Sequence, residues 1–293
     1  MPGISVIIPA FNAAPFIQEA LESVLSQTLR AAEIIVIDDG STDQTASVIA
    51  GFGSQVKGLR QTNQGVSAAR NHGARVASGE WLAFLDADDA WRPAKLEAQM
   101  RLAAADGAGF VHCGSERIDQ DGRSLGQQLD GLSGRVASGM LLFKGNHANG
   151  STTLVRKELF EAAGGYDTNL STSADWDMCF RLGRLAELSF VAEPLAFYRQ
   201  HGSNMHANPA LMRRDMMRAF EKAFSDKSPE IDELRRPAYA ALHLMLSGSF
   251  AAYGDRARAI RHGLIAITWQ PGSLLSLLAG SWRTTKRIAG GER

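Results

Sequence analysis

The densest group of chemically useful side chains in the sequence is Asp86-Ala87-Asp88-Asp89. Three carboxylates this close repel one another unless a positive charge sits among them. Hard divalent cations such as Mg2+ or Mn2+ take carboxylate and phosphate oxygens, often with one or two carboxylates and a substrate diphosphate. A solvated turn whose aspartates cap a helix after Pro93 would show the same spacing, so the cluster alone leaves both readings open. Other groups that ask for a role are Pro9-Ala10-Phe11-Asn12, Asp38-Asp39, Arg70, Asp175-Trp176-Asp177 and Tyr198-Arg199-Gln200-His201.

Short apolar runs precede several of these groups. Strands are predicted over 4–8, 33–37, 56–61 and 81–85, with helices over 15–27, 44–50 and 66–76 between them. Apolar strands alternating with helices imply parallel βαβ units covered on both faces. Ligands of such sheets gather at the carboxyl ends of the strands, which brings residues 9–12, 38–39 and 86–89 to one edge. Beyond Pro93 the pattern predicts a helix to 105, a strand over 109–114 and a Gly-, Ser- and Asn-rich loop region over 120–150. A strand over 151–155, helices over 157–163 and 175–185, and a strand over 188–197 follow. From Pro209 helices dominate, over 210–224, 228–252 and 254–267, before a leucine-rich end. The expected boundary lies near Asn208, separating a catalytic domain of 1–208 from a helical extension of 209–293.

A chain of 293 residues with 45% hydrophobic and 21% charged residues is globular, neither disordered nor fibrous. Its formal net charge is zero, but residues 1–208 carry −6 and residues 209–293 carry +6. An acidic first part suits a cation, and a basic tail suits an anionic surface. Cys113 and Cys179 have no ligand spacing and read as small buried side chains of a reducing compartment. No secretory signal and no run of about 18 apolar residues is visible, so a cytoplasmic protein is expected, with a peripheral contact at the inner membrane face as an added option.

The chain resembles the inverting glycosyltransferases of family 2. The resemblance rests on Ser5-Val6-Ile7-Ile8-Pro9-Ala10-Phe11-Asn12, Val36-Ile37-Asp38-Asp39-Gly40-Ser41-Thr42-Asp43 and Asn63-Gln64-Gly65-Val66-Ser67-Ala68-Ala69-Arg70-Asn71-His72-Gly73. It continues through Gly79-Glu80-Trp81 to Asp88-Asp89, then Gly164-Gly165-Tyr166-Asp167 and Asp175-Trp176-Asp177, covering residues 4–203 in the family's order. It implies a GT-A, Rossmann-like α/β fold with a mixed, mainly parallel sheet flanked by helices. It also implies an enzyme that moves a sugar from a nucleotide-sugar donor, by family habit a UDP-sugar, to a hydroxyl of a glycan or lipid-linked acceptor.

Carried over residue by residue, the pattern assigns Pro9, Phe11 and Asp39 to the base and ribose, where an aromatic face packs a base and a carboxylate accepts from a ring N–H. Asp38 has the alternative task of holding the strand-end turn. Arg70 matches a position approaching the nucleotide or its phosphates. Asp86 falls near ribose and metal, Asp88 on the metal, and Asp89 is open to a helix-capping role. Asp175 aligns with the general base that takes the acceptor's proton; the acid that often precedes it is absent, and Ala174 stands there. His201 is a candidate third ligand or phosphate donor. Trp91 and Trp176 are candidate platforms for acceptor sugar, with core packing as the rival. His72, His112, His147, His206, His243 and His262 show no ligand spacing.

Two rivals remain at this level. A nucleotidyltransferase would need a glycine-rich loop near the first strand, and Pro9 to Pro15 has none. A non-catalytic nucleotide-sugar or glycan-binding module is kept open by Ala174. A dehydrogenase is disfavoured because no G-x-G-x-x-G follows the first strand. No nucleic-acid partner is expected. The leucines and basic residues of 271–287 suit either an anionic membrane surface or a homodimer through the C-terminal helices.

Overall fold

The computed structural model describes residues 3–202, 208–225 and 228–274. They fall into two compact units, Met1–Val136 with Gly145–His201, and Ala137–Lys144 with Gly202–Arg293.

The first unit opens with β1 (Ile4–Ala10), α1 (Ile17–Leu25), β2 (Glu33–Asp38), α2 (Thr45–Gly51), β3 (Lys57–Arg60), α3 (Val66–Val76) and β4 (Trp81–Phe84). All seven residues of β1 are buried, as a strand covered on both faces requires. In α1 the buried residues Ile17, Ala20, Leu21 and Val24 recur at helical spacing and turn one stripe to the core. The order β3-β2-β1-β4 is parallel throughout, with β2 on one side of β1 and β4 on the other. That reversal of winding opens a crevice at the carboxyl ends of β1 and β4.

β5 (Ala90–Trp91), α4 (Lys95–Asp106), β6 (Phe110–Ile118), β7 (Ser124–Gln128), β8 (Leu154–Arg156), α6 (Lys157–Ala162), α7 (Ala174–Leu185) and β9 (Leu188–Arg199) complete this unit; α5 (Ala137–Leu141) belongs to the other. β8 runs antiparallel to β4 and β6, β9 runs parallel to β6, and β5 runs antiparallel to β9. The second half of the sheet is therefore more mixed than the sequence pattern predicts. β5 and β7 arise from pairing rather than local propensity: Trp91 lies opposite Ala196, and the largely exposed β7 pairs with β6 across a turn held by Asp119.

The second unit is helical: α5, α8 (Pro209–Ala223), α9 (Pro229–Asp232), α10 (Arg235–Ala252) and α11 (Arg256–Trp269). Asn208 caps α8 by accepting from the N–H groups of Ala210 and Leu211, with Pro209 in the first turn. The helix expected over 228–252 is broken after Asp232, and α5 joins this unit through Phe143, which stacks on Phe220 at 5.9 Å. His243 and His262 lie side by side, Nδ1 to Nδ1 2.8 Å, where α10 meets α11. Among the described residues no helix is long and apolar enough to cross a membrane. The leucine-rich basic end, 275–293, lies outside the described residues.

Candidate active site

At the ends of β1 and β2, main-chain geometry exposes one aromatic ring. Asn12 takes φ 48°, an uncommon value that asparagine tolerates better than most side chains. Its Oδ1 accepts from the Thr42 N–H at 2.8 Å, and its own N–H donates to Ser41 Oγ at 3.0 Å. This ties the two strand ends together and leaves Phe11 50% exposed, while Pro9 is buried opposite Ile37. Asp38 Oδ1 accepts from the Ser41 N–H at 2.8 Å and so holds the turn. Asp39 is buried: Oδ1 accepts from Gln61 Nε2 and the Gln64 N–H, and Oδ2 from the Gly65 N–H at 2.8 Å. Gly65 needs its φ of 87° to start α3 there, so Asp39 fixes the entry of α3 while Oδ2 keeps one further acceptor site.

α3 carries Arg70 into the centre of the crevice. Its side chain is 4% exposed, with Nη2 2.5 Å from Asp86 Oδ1 and Nη1 3.0 Å from Asp175 Oδ1. Tyr166 packs on the guanidinium at 4.9 Å, and its phenol is pushed well above its ordinary range by burial first, with Arg70 opposing and Asp175 and Asp86 adding to it. Neighbouring Asn71 clamps the Tyr166 main chain with two bonds of 2.8 Å, and Ser67 Oγ donates to the Leu170 carbonyl. α3 is thereby stitched to the loop that delivers Asp175 into the first turn of α7. Arg70 thus bridges two carboxylates of the protein, Asp86 and Asp175. Burial by itself would lower its pKa; Asp175 and Asp86 reverse this and raise it. The Asp86 carboxyl lies above its usual range: desolvation is the main cause, Arg70 opposes it, and Asp175 and Asp88 add to it. Gly150 lies against this bridge, because a Cβ there would meet Arg70 Nη2, with Cζ at 3.0 Å and Asp86 Oδ1 at 3.2 Å.

On the other side of Asp86 the end of β9 closes the site. His201 Nε2 lies 2.9 Å from Asp88 Oδ2 although the residues are 113 apart in sequence. The His201 ring stacks on Phe16 at 5.0 Å and 18°. Asp89 is buried and does not cap α4, whose N-cap is Ala94. It accepts instead from Ser151 Oγ and, at 2.8 Å, from the Arg199 N–H, joining the acidic turn to β9. Desolvation first, then Asp88 and Asp86, push its carboxyl well above the ordinary range.

Among the described residues no three His, Cys, Asp or Glu side chains converge on one point. Asp88 and His201 nevertheless pair a hard oxygen with an imidazole nitrogen. Adjacent ligands of an octahedral cation with bonds of about 2.1 Å stand about 3.0 Å apart. The observed 2.9 Å fits two such ligands.

Both candidate tryptophans are buried. Trp91 is 3% exposed, its Nε1–H donates to the Ser151 carbonyl at 2.7 Å, and Lys95 Nζ sits 3.9 Å from its ring. Trp176 is also 3% exposed and stacks on Phe180 at 5.5 Å. Both are core residues because the apolar neighbours at helical or strand spacing claim them. Sequence reasoning gave no role to Tyr166, Ser151, Phe16 or Arg199. Tyr166 and Arg199 lay within quoted segments; Ser151 and Phe16 carried no local signal.

Residues 5–164 match the family described as Glycosyl transferase family 2. An uncharacterized glycosyltransferase of Rickettsia typhi is 32% identical over 231 residues, 77% of this chain and 72% of the relative. One from Nostoc sp. is 36% identical over 219 residues, 71% of this chain and 67% of the relative. The solved structure of S. aureus TarS 1-349 is similar with TM-score 0.68 at 16% identity, over 97% of this chain and 83% of that one. TarS 1-349 is also solved in complex with UDP-GlcNAc, with TM-score 0.67 and 17% identity, over 91% of this chain and 81% of that one. Mannosyltransferase PcManGT from Pyrobaculum calidifontis, in complex with GDP-Man and Mn2+, has TM-score 0.66 at 20% identity, over 99% of this chain and 84% of that one. The fold is GT-A.

Proposed function

Because the chain belongs to glycosyltransferase family 2 and is a transferase, we propose that it inverts the sugar of a nucleotide donor, a UDP-sugar, as it passes that sugar to a hydroxyl of a glycan or lipid-linked acceptor. The observation that carries this reading is the Arg70 bridge, which holds a carboxylate of the acidic turn and Asp175 of α7 in one crevice. Phe11, exposed at the end of β1, packs the base, and Asp39 receives a ring N–H on its remaining site. Asp86 takes the ribose.

Asp88 and His201 would hold a divalent cation, Mn2+ or Mg2+; PcManGT with Mn2+ supports that choice. When bound, the cation neutralises charge growing on the departing nucleoside diphosphate. Asp175, oriented by Arg70, has lone pairs beyond that one contact and accepts the proton of the attacking hydroxyl. The anomeric carbon passes through an oxocarbenium-like state, as in glycoside hydrolysis. Residues 1–208 act as the catalytic domain in the cytoplasm. The extension of 209–293 lies on an anionic membrane, through the exposed Ile260 and Leu264 of α11 beside Arg256 and Arg261.

The test is a panel of UDP-, GDP- and dTDP-sugars with Mn2+, read as nucleoside diphosphate released. Turnover of one donor, lost on chelation, is expected. Absence of both turnover and nucleotide binding across the panel would overturn the reading.

A further inference from the structure

Arg199 ends β9, is 3% exposed, and has no part in the chemistry above. Its main-chain N–H donates to Asp89 Oδ1 at 2.8 Å and its Nε to the Asp88 carbonyl at 2.9 Å. Nη1 donates to the carbonyls of Asp119 and Gln120 at 3.4 and 3.2 Å, and Nη2 to Glu19 Oε2 at 2.6 Å. One side chain thus ties together α1, the acidic turn and the β6–β7 turn. Its Cζ also lies 5.4 Å from the centroid of Phe16, the ring on which His201 stacks.

We propose that Arg199 is a positioning residue that preassembles the Asp88–His201 pair for a divalent cation, with Phe16 as the second support of the imidazole. The proposal rests on the reading of that pair as the cation site. Both donors depend on this one residue: Asp88 through its main-chain oxygen, His201 through the end of β9 and through Phe16. A fold that needed only stability would be served as well by an apolar side chain, because burying a guanidinium is costly and its ion pair returns little. What the guanidinium adds is direction, a planar fork whose donors fix several acceptors at once, which an ammonium cannot copy. Partners behind metal ligands act in this way, and their loss lowers metal affinity about 10–100-fold.

The test measures Mn2+ binding to the full chain by electron paramagnetic resonance, with UDP or GDP present, whichever the wild type binds more tightly. Asp88→Asn and His201→Ala serve as references for the site itself. Arg199→Lys is expected to weaken Mn2+ by about 10-fold or more, while metal-free nucleotide affinity stays within about 2-fold of wild type because Phe11 and Asp39 are untouched. Phe16→Leu, on a half-buried ring that the fold can lose, is expected to weaken Mn2+ several-fold and gives a result even where Arg199→Lys does not fold. Wild-type Mn2+ affinity in Phe16→Leu and in any folded Arg199→Lys, beside loss in the references, would overturn the positioning role and leave the cation site standing. Unchanged Mn2+ affinity in both references would remove the cation site, and the proposal with it.

Discussion

Replacing Arg70 with methionine keeps the unbranched stem and removes the guanidinium between Asp86 and Asp175. The two carboxylates then face each other across the crevice without their shared partner. Breaking a fully buried pair by deleting one member costs about 3–5 kcal/mol. Asp86 and Asp175 keep 30% and 23% of their side chains exposed, so water screens part of this and the expected loss is about 2–3 kcal/mol. For a unit of this size that lowers the unfolding temperature by roughly 4–12 °C. Turnover falls further than stability suggests, by about 100-fold or more, because Asp175 loses the contact that aims it. Arg70→Lys recovers part of the stability and little of the turnover, since one ammonium cannot span both carboxylates. Thermal unfolding and donor turnover on the same preparations check both statements. An Arg70→Met protein that unfolds at the wild-type temperature and turns over within about 3-fold of wild type would refute the bridge as an organising element.

Other expectations reach different parts of the molecule. Gly150→Ala forces its new methyl into the Arg70–Asp86 contact, so turnover drops by about 10-fold or more and the unfolding temperature falls with it; wild-type turnover contradicts it. His243 and His262 are held neutral, their pKa values pushed down to about 4 by burial first, then by His262 and Arg213 for the former and Arg213 and Arg261 for the latter. The unfolded chain takes up protons that the folded chain refuses between pH 6.5 and 4, so stability is full above that window and falls as pH drops through it. Urea unfolding of the helices followed at pH 7 and pH 5 should show a loss of about 2–4 kcal/mol at the lower pH, about halved in His262→Phe because buried His243 still refuses its proton. Ile260→Glu with Leu264→Glu should abolish flotation with anionic vesicles; unchanged flotation rules out α11 as the membrane face, and a change of oligomeric state instead marks a contact between copies.

The parts of the site that follow strands were legible because apolar runs announce strands and ligands gather at their ends. Residues 9–12, 38–39 and 86–89 were placed on one edge by that rule alone, and they lie there. What joins them was not legible. Arg70 meets Asp86 across 16 residues and Asp175 across 105, and no local pattern encodes such a meeting. A capping role was open for Asp89 because Pro93 suggests a helix start, but the helix begins at Lys95 and the carboxylate is claimed by β9. The sequence left Trp91 open between sugar platform and core because the two-residue strand that buries it is created by pairing with β9. His243 and His262 meet across 19 residues, a spacing with no meaning until α10 folds against α11.

Asp175→Asn tests the assignment of the base most directly. The amide keeps the size of the carboxylate and an oxygen for Arg70, but cannot take a proton from the acceptor. Nucleotide binding in the presence of Mn2+ should stay within about 2-fold of wild type while sugar transfer falls by about 1000-fold. Transfer near the wild-type rate, or loss of nucleotide binding in place of transfer, would contradict Asp175 as the residue that receives the proton.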